Sequence, residues 1–213
     1  MIFRLLGLVF ALCASLALAG TSARAHPHVW VTVKSELVYA PDGAVTGVRH
    51  TWTFDDMFSS YATQGLETKQ KGAFTREELA PVAEENITSM KEFDYFTFAK
   101  ADGKKTKFNE PVDYWLDYKD EVLTLHFFLP LSAPAKAADL KVEVFDPEFF
   151  IDFELAQSEP VKLAGAPAGC KLDVTPRPDP AGPVQSQRLS DAARNQPTSY
   201  GAVFANKIAV SCP

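Results

Sequence analysis

Two neighbouring segments near the amino end alternate between apolar and polar residues with a period of two. Valine and leucine occupy most odd positions of residues 29–37, and large residues occupy the even positions of 48–54, where the odd positions are polar. Such alternation is typical of strands with one buried face. Between them, Ala-Pro-Asp-Gly at 40–43 is a turn signal. The two segments predict a β-hairpin folded about Asp42 and Gly43, in which paired residue numbers sum to about 85.

A helical subdomain is predicted at about 58–92, directly after the hairpin. Thr75 and Glu78 have the spacing of a capping box, and apolar residues follow at helical spacing. Pro81 falls inside this helix, so we expect a kink or a restart there.

Strand-like segments resume after the helical insert and continue toward the carboxyl end. They cover residues 95–100, 112–118, 122–129, 140–146, 149–155 and 204–212. Residues 164–183 hold five prolines and three glycines, which is typical of a loop. The expected class is α+β, mainly antiparallel β and sandwich-like with a helical insert. We expect a β domain over 26–163, the loop at 164–183 and a tail over 184–213.

The first 25 residues have the pattern of a secretory signal peptide. Arg4 precedes an apolar stretch at 5–18, and small residues lead to a cleavage site after Ala25. Cleavage would change the net charge from −6 to −8, because it removes two arginines and no acid. We expect a periplasmic protein that does not span the membrane once the signal is removed. An acidic chain also lacks the charge footprint of a nucleic-acid binder.

The mature chain would retain two cysteines, Cys170 and Cys212. An even pair in an oxidising compartment predicts a disulfide, which would tie the tail back to the loop. A loop of this size stabilises the fold by roughly 4 kcal/mol through loop-closure entropy. A thiolate metal site is the less favoured alternative because it needs reduced cysteines.

The predicted new amino terminus, His26-Pro27-His28, has the chemistry of a metal ligand set. The α-amine and the His26 ring can chelate one ion, as in a histidine brace, and His28 projects to the same side of an extended chain. Pro27 has no N–H to lose, which blocks the square-planar mode that uses deprotonated backbone nitrogens. Imidazole and amine nitrogens suit zinc, nickel, cobalt and copper. His26 and His28 are therefore the first predicted ligands.

Three carboxylates are candidates to complete this site. The hairpin register places Asp55 opposite Trp30, and its polar parity should point it off the same face as His28. Asp146 and Asp152 lie in an aromatic-rich segment, where an unpaired buried carboxylate is costly. The alternatives are a turn-forming role for Asp146, which precedes a proline, and a solvated face for Asp152.

The two other histidines are not assigned to the metal site. The register places His50 near Ser35, and His50 shares a strand face with Trp52. We therefore expect a buried histidine satisfied by a hydrogen bond. His126 stands alone in a strand and has no partner nearby in the sequence.

Five segments spread over the mature chain carry a resemblance to a known family. They are His26–Trp30, Thr51–Ser59, Lys91–Thr97, Asp146–Phe153 and Gly165–Cys170. In them the chain resembles bacterial periplasmic proteins labelled the periplasmic component of an ABC-type transport system. Some members of that family are linked to zinc, nickel or cobalt permeases. The resemblance implies metal capture for an inner-membrane carrier, with His26 and His28 as ligands.

The expected function is a periplasmic metal-binding protein that hands its ion to a permease. Zinc ranks first, with nickel, cobalt or copper as the other ions. One alternative is a copper oxidoreductase with a histidine brace, which would need an open coordination position and a substrate surface. The other is a structural module in which His-Pro-His only begins a strand. The sequence shows no Ser/His/Asp or Cys/His set, so we do not expect an enzyme.

Overall fold

The two alternating segments form the predicted hairpin in the computed structural model of the protein. Strand β1 is Val29–Tyr39 and strand β2 is Val45–Phe54. They pair antiparallel, with Val31 opposite Phe54 and Ser35 opposite His50, so the predicted register is confirmed. Gly43 takes a positive φ of 81° in the turn, which favours glycine because it has no Cβ.

The structure describes residues 27–70, 72–179 and 200–213. The predicted signal peptide and His26 lie outside these residues, as does the stretch 180–199. No helix within the described ranges is long and apolar enough to cross a membrane.

Eleven strands of the described chain form two sheets, which gives the sandwich-like α+β class that the sequence predicts. The first sheet has the order β5-β6-β2-β1-β8, with β9 also paired to β1. The second has the order β10-β11-β7-β3-β4. Strands β8 and β9 pair with β1 in parallel, and all other pairs are antiparallel. The remaining strands are β3 Thr97–Ala101, β4 Lys104–Thr106, β5 Val112–Lys119, β6 Val122–Ala135, β7 Asp139–Val144, β8 Ile151–Leu155, β9 Val161–Ala164, β10 Lys171–Thr175 and β11 Asn206–Ser211.

The insert after β2 contains two α-helices, α1 at Asp56–Ala62 and α2 at Arg76–Met90. The predicted capping box is present, with Thr75 and Glu78 each bonding the other's backbone N–H. Helix α2 continues through Pro81, so no restart occurs there. It packs on β5 and continues into a 3-10 helix at Lys91–Phe96.

His50 lies wholly buried between the two sheets, as its register predicts. Its Nδ1 is 3.0 Å from the Ser35 hydroxyl, and its Nε2 is 3.2 Å from the Thr97 hydroxyl. Thr97 donates its hydroxyl hydrogen to the carbonyl of Tyr95 at 3.0 Å. We therefore assign Nε2 as the donor to Thr97 and Nδ1 as the acceptor from Ser35, which makes the ring neutral. Burial lowers the pKa of His50 to about 3.

The carboxyl-terminal part differs from the sequence prediction in one respect. Cys170 and Cys212 form the predicted disulfide. Residues 171–175, expected to belong to a loop over 164–183, instead form β10 and pair with β11. This strand is short and mostly exposed, and prolines flank it on both sides, so its apolar signal is weak. Antiparallel pairing at a sheet edge, together with the disulfide, holds it in place. A second 3-10 helix, Gly201–Phe204, precedes β11.

Candidate functional site

His28 lies at the amino end of β1, where the neighbouring loop holds it. Its backbone N–H donates to the carbonyl oxygen of Phe150 at 2.8 Å. Its imidazole lies against the Phe150 ring, with ring centroids 4.7 Å apart. Both side chains are exposed. The structure thus fixes the backbone position of His28 and places the residue at the protein surface.

Asp55 lies opposite Trp30, as the hairpin register predicts. Its backbone N–H donates to the Trp30 carbonyl at 2.9 Å, and its Oδ2 accepts the Trp30 N–H at 2.8 Å. Its Oδ1 accepts the N–H of Phe58 at 2.8 Å, which makes Asp55 the N-cap of α1. Each carboxylate oxygen therefore already holds one backbone N–H.

Asp146 is buried and organises the loop that leads into β8. Its Oδ1 accepts the N–H of Glu148, and its Oδ2 accepts those of Phe150 and Ile151, all at 2.9 Å. This is the turn-forming role that the following proline indicates. The loop in turn places Phe150 beside His28. Through this loop, the hydrogen bonds of Asp146 help to fix the position of His28.

Asp152 is 2% exposed, so it does not belong to a solvated face. Its Oδ1 lies 2.6 Å from Nε of Arg177, with which it forms an ion pair. Burial raises the pKa of the Asp152 carboxyl, against the opposing effect of the Arg177 charge. The backbone N–H of Arg177 donates to Oδ1 of Asn206 at 3.0 Å. Arg177 is distant in the sequence, and no local pattern predicts this pairing.

Three of the predicted ligands, His28, Asp55 and Asp152, lie next to Trp30 at one end of the first sheet. Asp55, directly after β2, faces Trp30, Asp152 is paired with it from β8, and His28 lies two positions before it, just ahead of β1. Among the residues for which the structure gives positions, no group of three or more His, Cys, Asp or Glu is close enough to hold a metal. His26 and its α-amine lie outside those residues. The ligand assignments therefore remain predictions.

An apolar cavity lies on the buried side of β1, at the same end of the sheet. Its volume is about 370 Å³, and Val29, Trp52, Met90 and Phe150 are among its lining residues. Phe150 thus borders both the cavity and the His28 ring. The lining is mostly aromatic and aliphatic, so we do not place the metal there.

His126, which has no partner in its own sequence segment, takes part in a network across three strands. Its Nε2 is 3.0 Å from Oδ2 of Asp117 on β5, and its Nδ1 is 3.3 Å from the Thr51 hydroxyl on β2. The Trp115 ring stacks on the imidazole at 4.7 Å, and the Arg76 guanidinium lies 4.6 Å from the Trp115 ring centroid. Burial lowers the pKa of His126. Because Trp115 covers the ring, we assign this network a structural role in joining the strands.

Nearly the whole chain matches a protein family. The family described as protein of unknown function (DUF1007) matches residues 10–212. The chain belongs to the DUF1007 family. This DUF1007 protein is 24% identical over 194 residues to an uncharacterized protein of Haemophilus influenzae, covering 88% of this chain and 91% of the relative.

Two further proteins are similar to this DUF1007 protein. An uncharacterized 15.5 kDa protein in the trpE 3' region of Spirochaeta aurantia is 30% identical over 93 residues, covering 43% of this chain and 66% of that protein. Among solved structures, acetylcholine-binding protein type 1 of Biomphalaria glabrata aligns with 89% of this chain and 87% of its own length. That alignment has a TM-score of 0.36 and 10% identity.

Proposed function

We propose that this protein binds a transition-metal ion, with zinc ranked first, through His26 and His28, and delivers it to an inner-membrane permease in the periplasm. The observation that carries the proposal is the exposed imidazole of His28, held at the amino end of β1 by the backbone of Phe150. This residue comes two positions after the predicted mature amino terminus.

The anchoring of His28 lowers the cost of assembling the site. Because the fold already fixes the backbone of residue 28, metal binding does not have to order that residue. Ordering a residue costs about 1–2 kcal/mol of backbone entropy, so a preformed third residue strengthens binding. The α-amine, the His26 ring and the His28 ring then offer three nitrogen donors to one ion.

Asp55 is the carboxylate best able to join these nitrogens. Asp146 is buried and accepts three backbone N–H groups, and Asp152 is buried against Arg177. Asp55 is partly exposed, and each of its oxygens accepts only one N–H. A carboxylate oxygen has a second lone pair to offer, so Asp55 can cap α1 and still coordinate an ion.

A site at the chain terminus suits the transfer of an ion to a partner. The His28 ring is exposed, and the nitrogen donors belong to the end of the polypeptide. A receiving protein can therefore approach the ion and replace its ligands one at a time. Because zinc, nickel, cobalt and copper all accept nitrogen ligands, metal supply and geometry decide which ion is bound.

The test uses protein exported to the periplasm and purified without chelators, with its first residue established by mass spectrometry. We expect a chain that begins at His26 and binds one zinc ion in calorimetry. His28→Ala should weaken binding at least tenfold, about 1.4 kcal/mol. A chain with one extra residue before His26 should weaken it similarly, because the α-amine no longer chelates with that ring.

His126→Gln is the matched control, since His126 lies in the strand network and should leave zinc affinity unchanged. Unchanged stoichiometry in the His26→Ala/His28→Ala double variant would overturn the assignment. Copper as the bound ion, with zinc excluded, would favour the histidine-brace copper protein. For the delivery step, cells that lack the protein should take up less zinc when zinc is limiting, and His28→Ala should not restore uptake.

A further inference from the structure

The outer face of the second sheet contains a concave cavity with a strongly cationic lining. Its volume is about 970 Å³. Five of the chain's 14 lysines line it, in a protein whose net charge is −6. They are Lys100, Lys105, Lys107, Lys141 and Lys207. Two acidic residues, Asp94 and Glu143, are also in the lining, so cationic groups outnumber anionic ones.

Three of these lysines form a row across adjacent strands, called the lysine row below. Lys141 on β7 pairs with Lys100 on β3, and Lys100 pairs with Lys105 on β4. Directly paired residues share a face, and neighbouring strands lie about 4.8 Å apart. Like charges directly opposite each other destabilise a sheet, by roughly 0.2–1 kcal/mol per pair. The row therefore carries a cost in the free protein.

Ion pairs within the protein offset little of this repulsion. Lys141 lies 3.3 Å from the Asp139 carboxylate. Within the part of the chain that the structure describes, Lys100, Lys105 and Lys207 form no ion pair within 4.0 Å. Lysines on edge strands commonly prevent edge-to-edge association. That role accounts for Lys105 on the edge strand β4 but not for Lys141, whose strand lies between β11 and β3.

The cavity also offers an apolar surface beside the lysine row. Phe98, Phe108 and Phe145 line it, and the rings of Phe98 and Phe145 are 4.6 Å apart. A cavity of this size, with apolar walls and a few converging charges, is typical of a small-molecule site. Residues 180–199 of this chain carry two arginines and one aspartate, so their charge does not favour them as the occupant.

We propose that this cavity binds a small organic polyanion. Its carboxylate or phosphate groups contact the lysine row, and its apolar portion lies on the phenylalanines. Bound anions remove the lysine–lysine repulsion, so binding recovers the energy that the free protein loses. This site is independent of the proposed metal centre at His28.

Calorimetry on the mature full-length protein tests the proposal with benzene-1,3,5-tricarboxylate as the probe. We expect saturable binding that weakens as salt is added, and no binding of the neutral benzene-1,3,5-tricarboxamide. The Lys100→Gln/Lys141→Gln variant should weaken binding at least tenfold. The matched control, Lys119→Gln/Lys162→Gln, changes two lysines of the first sheet and should leave binding unchanged. Circular dichroism verifies that both variants fold.

Inorganic pyrophosphate and phosphatidylglycerol vesicles distinguish the possible sources of the anion. Weak pyrophosphate binding, together with loss of tricarboxylate binding in Phe98→Ala, supports an organic ligand with an apolar portion. Pyrophosphate that binds as tightly as the tricarboxylate and is indifferent to Phe98→Ala would overturn the organic assignment. Vesicle binding without binding of either soluble anion would overturn the proposal of a small-molecule site and would indicate that the lysines bind a lipid surface. Equal losses in the two double variants, or no binding of any probe, would refute the proposal altogether.

Discussion

Two charged regions of the molecule differ in the partners that the fold gives them. One is the set of carboxylates near the amino end of β1, and the other is the set of lysines on the outer face of the second sheet. Asp55 and Asp146 accept two and three backbone N–H groups, and Asp152 faces Arg177. In the lysine row, by contrast, Lys100 lies between two other lysines. The fold itself satisfies the first set of charges, whereas in the lysine row Lys141 has the Asp139 carboxylate beside it and Lys100 has lysines on both sides.

This difference indicates what each set is for. A carboxylate whose oxygens hold backbone N–H groups is part of the architecture, and removing it must destabilise the protein. A cation opposite a like charge costs stability, and such a cost is expected at functional positions. The metal proposal accordingly rests on the nitrogens of His26 and His28. The carboxylates mainly shape the surface on which His28 lies.

Asp146→Ala tests the architectural side of the comparison and should have the largest effect. It leaves three backbone N–H groups of a buried loop without an acceptor, so the free energy of unfolding should fall by about 3–5 kcal/mol. Asp146→Asn keeps one acceptor oxygen and should lose about half as much. Urea denaturation measures both. A loss below about 1 kcal/mol in Asp146→Ala would mean that water replaces these bonds and that the carboxylate is not structural.

The fold also satisfies a buried histidine, His50, in its neutral form, through the hydroxyls of Ser35 and Thr97. Its pKa is about 3 in the folded protein, below the ordinary value near 6.5 of the unfolded chain. The unfolded state therefore binds the extra proton. Stability from this group is complete above about pH 6.5 and falls by about 1.4 kcal/mol per pH unit as pH decreases toward 3.

Comparing the wild-type protein with His50→Gln isolates this contribution. Between pH 6.5 and 5 the wild type should lose about 2 kcal/mol more than the variant, measured by denaturant unfolding. The NMR signals of the His50 ring should stay constant over the same interval, because the folded ring does not take up a proton. Equal pH slopes in the two proteins would show that the ring is accessible to protonation and not held by Ser35 and Thr97.

Asp55→Ala should have a smaller effect, because the residue is partly exposed. It removes the cap of α1 and the acceptor for the Trp30 N–H, at a cost of about 1–2 kcal/mol. Asp55→Ser retains a capping oxygen and should recover most of this loss. Thermal or urea unfolding of the pair measures the difference. If Ser is no better than Ala, the stabilising contact is the one with Trp30 and not the helix cap.

Local patterns in the sequence predict the parts of the molecule that neighbouring residues build. The alternation around Asp42 and Gly43 predicts the hairpin register, and that register predicts both the Asp55–Trp30 pairing and the burial of His50. The capping box is predicted from the spacing of its two residues and the disulfide from the even pair of cysteines, and both are present.

Contacts between distant segments carry no such signal. Arg177 meets Asp152 only because the chain after β10 returns to the first sheet. The lysine row needs the order β7-β3-β4, which brings Lys141 beside Lys100 although 41 positions separate them in the sequence. The same holds for His126 and Thr51, which are 75 positions apart and meet through the pairing of β2 with β6. The position of Asp55 opposite Trp30 therefore follows from the sequence, whereas the cationic cavity does not.

Lys100→Gln should change the free energy of unfolding least. Unlike the other substitutions, it should stabilise the protein. Removing the middle charge of the lysine row relieves repulsion with Lys141 and Lys105, so the free energy of unfolding should rise by about 0.2–1 kcal/mol at low salt. In about 1 M salt, where the screening length is about 3 Å, the gain over the wild type should disappear. Lys119→Gln, outside the row, should change stability at neither salt concentration. Destabilisation by Lys100→Gln would mean that the lysine is satisfied within the fold like the carboxylates. The distinction between the two regions would then fail, because a row that costs the free protein nothing gives no reason to expect an anionic ligand.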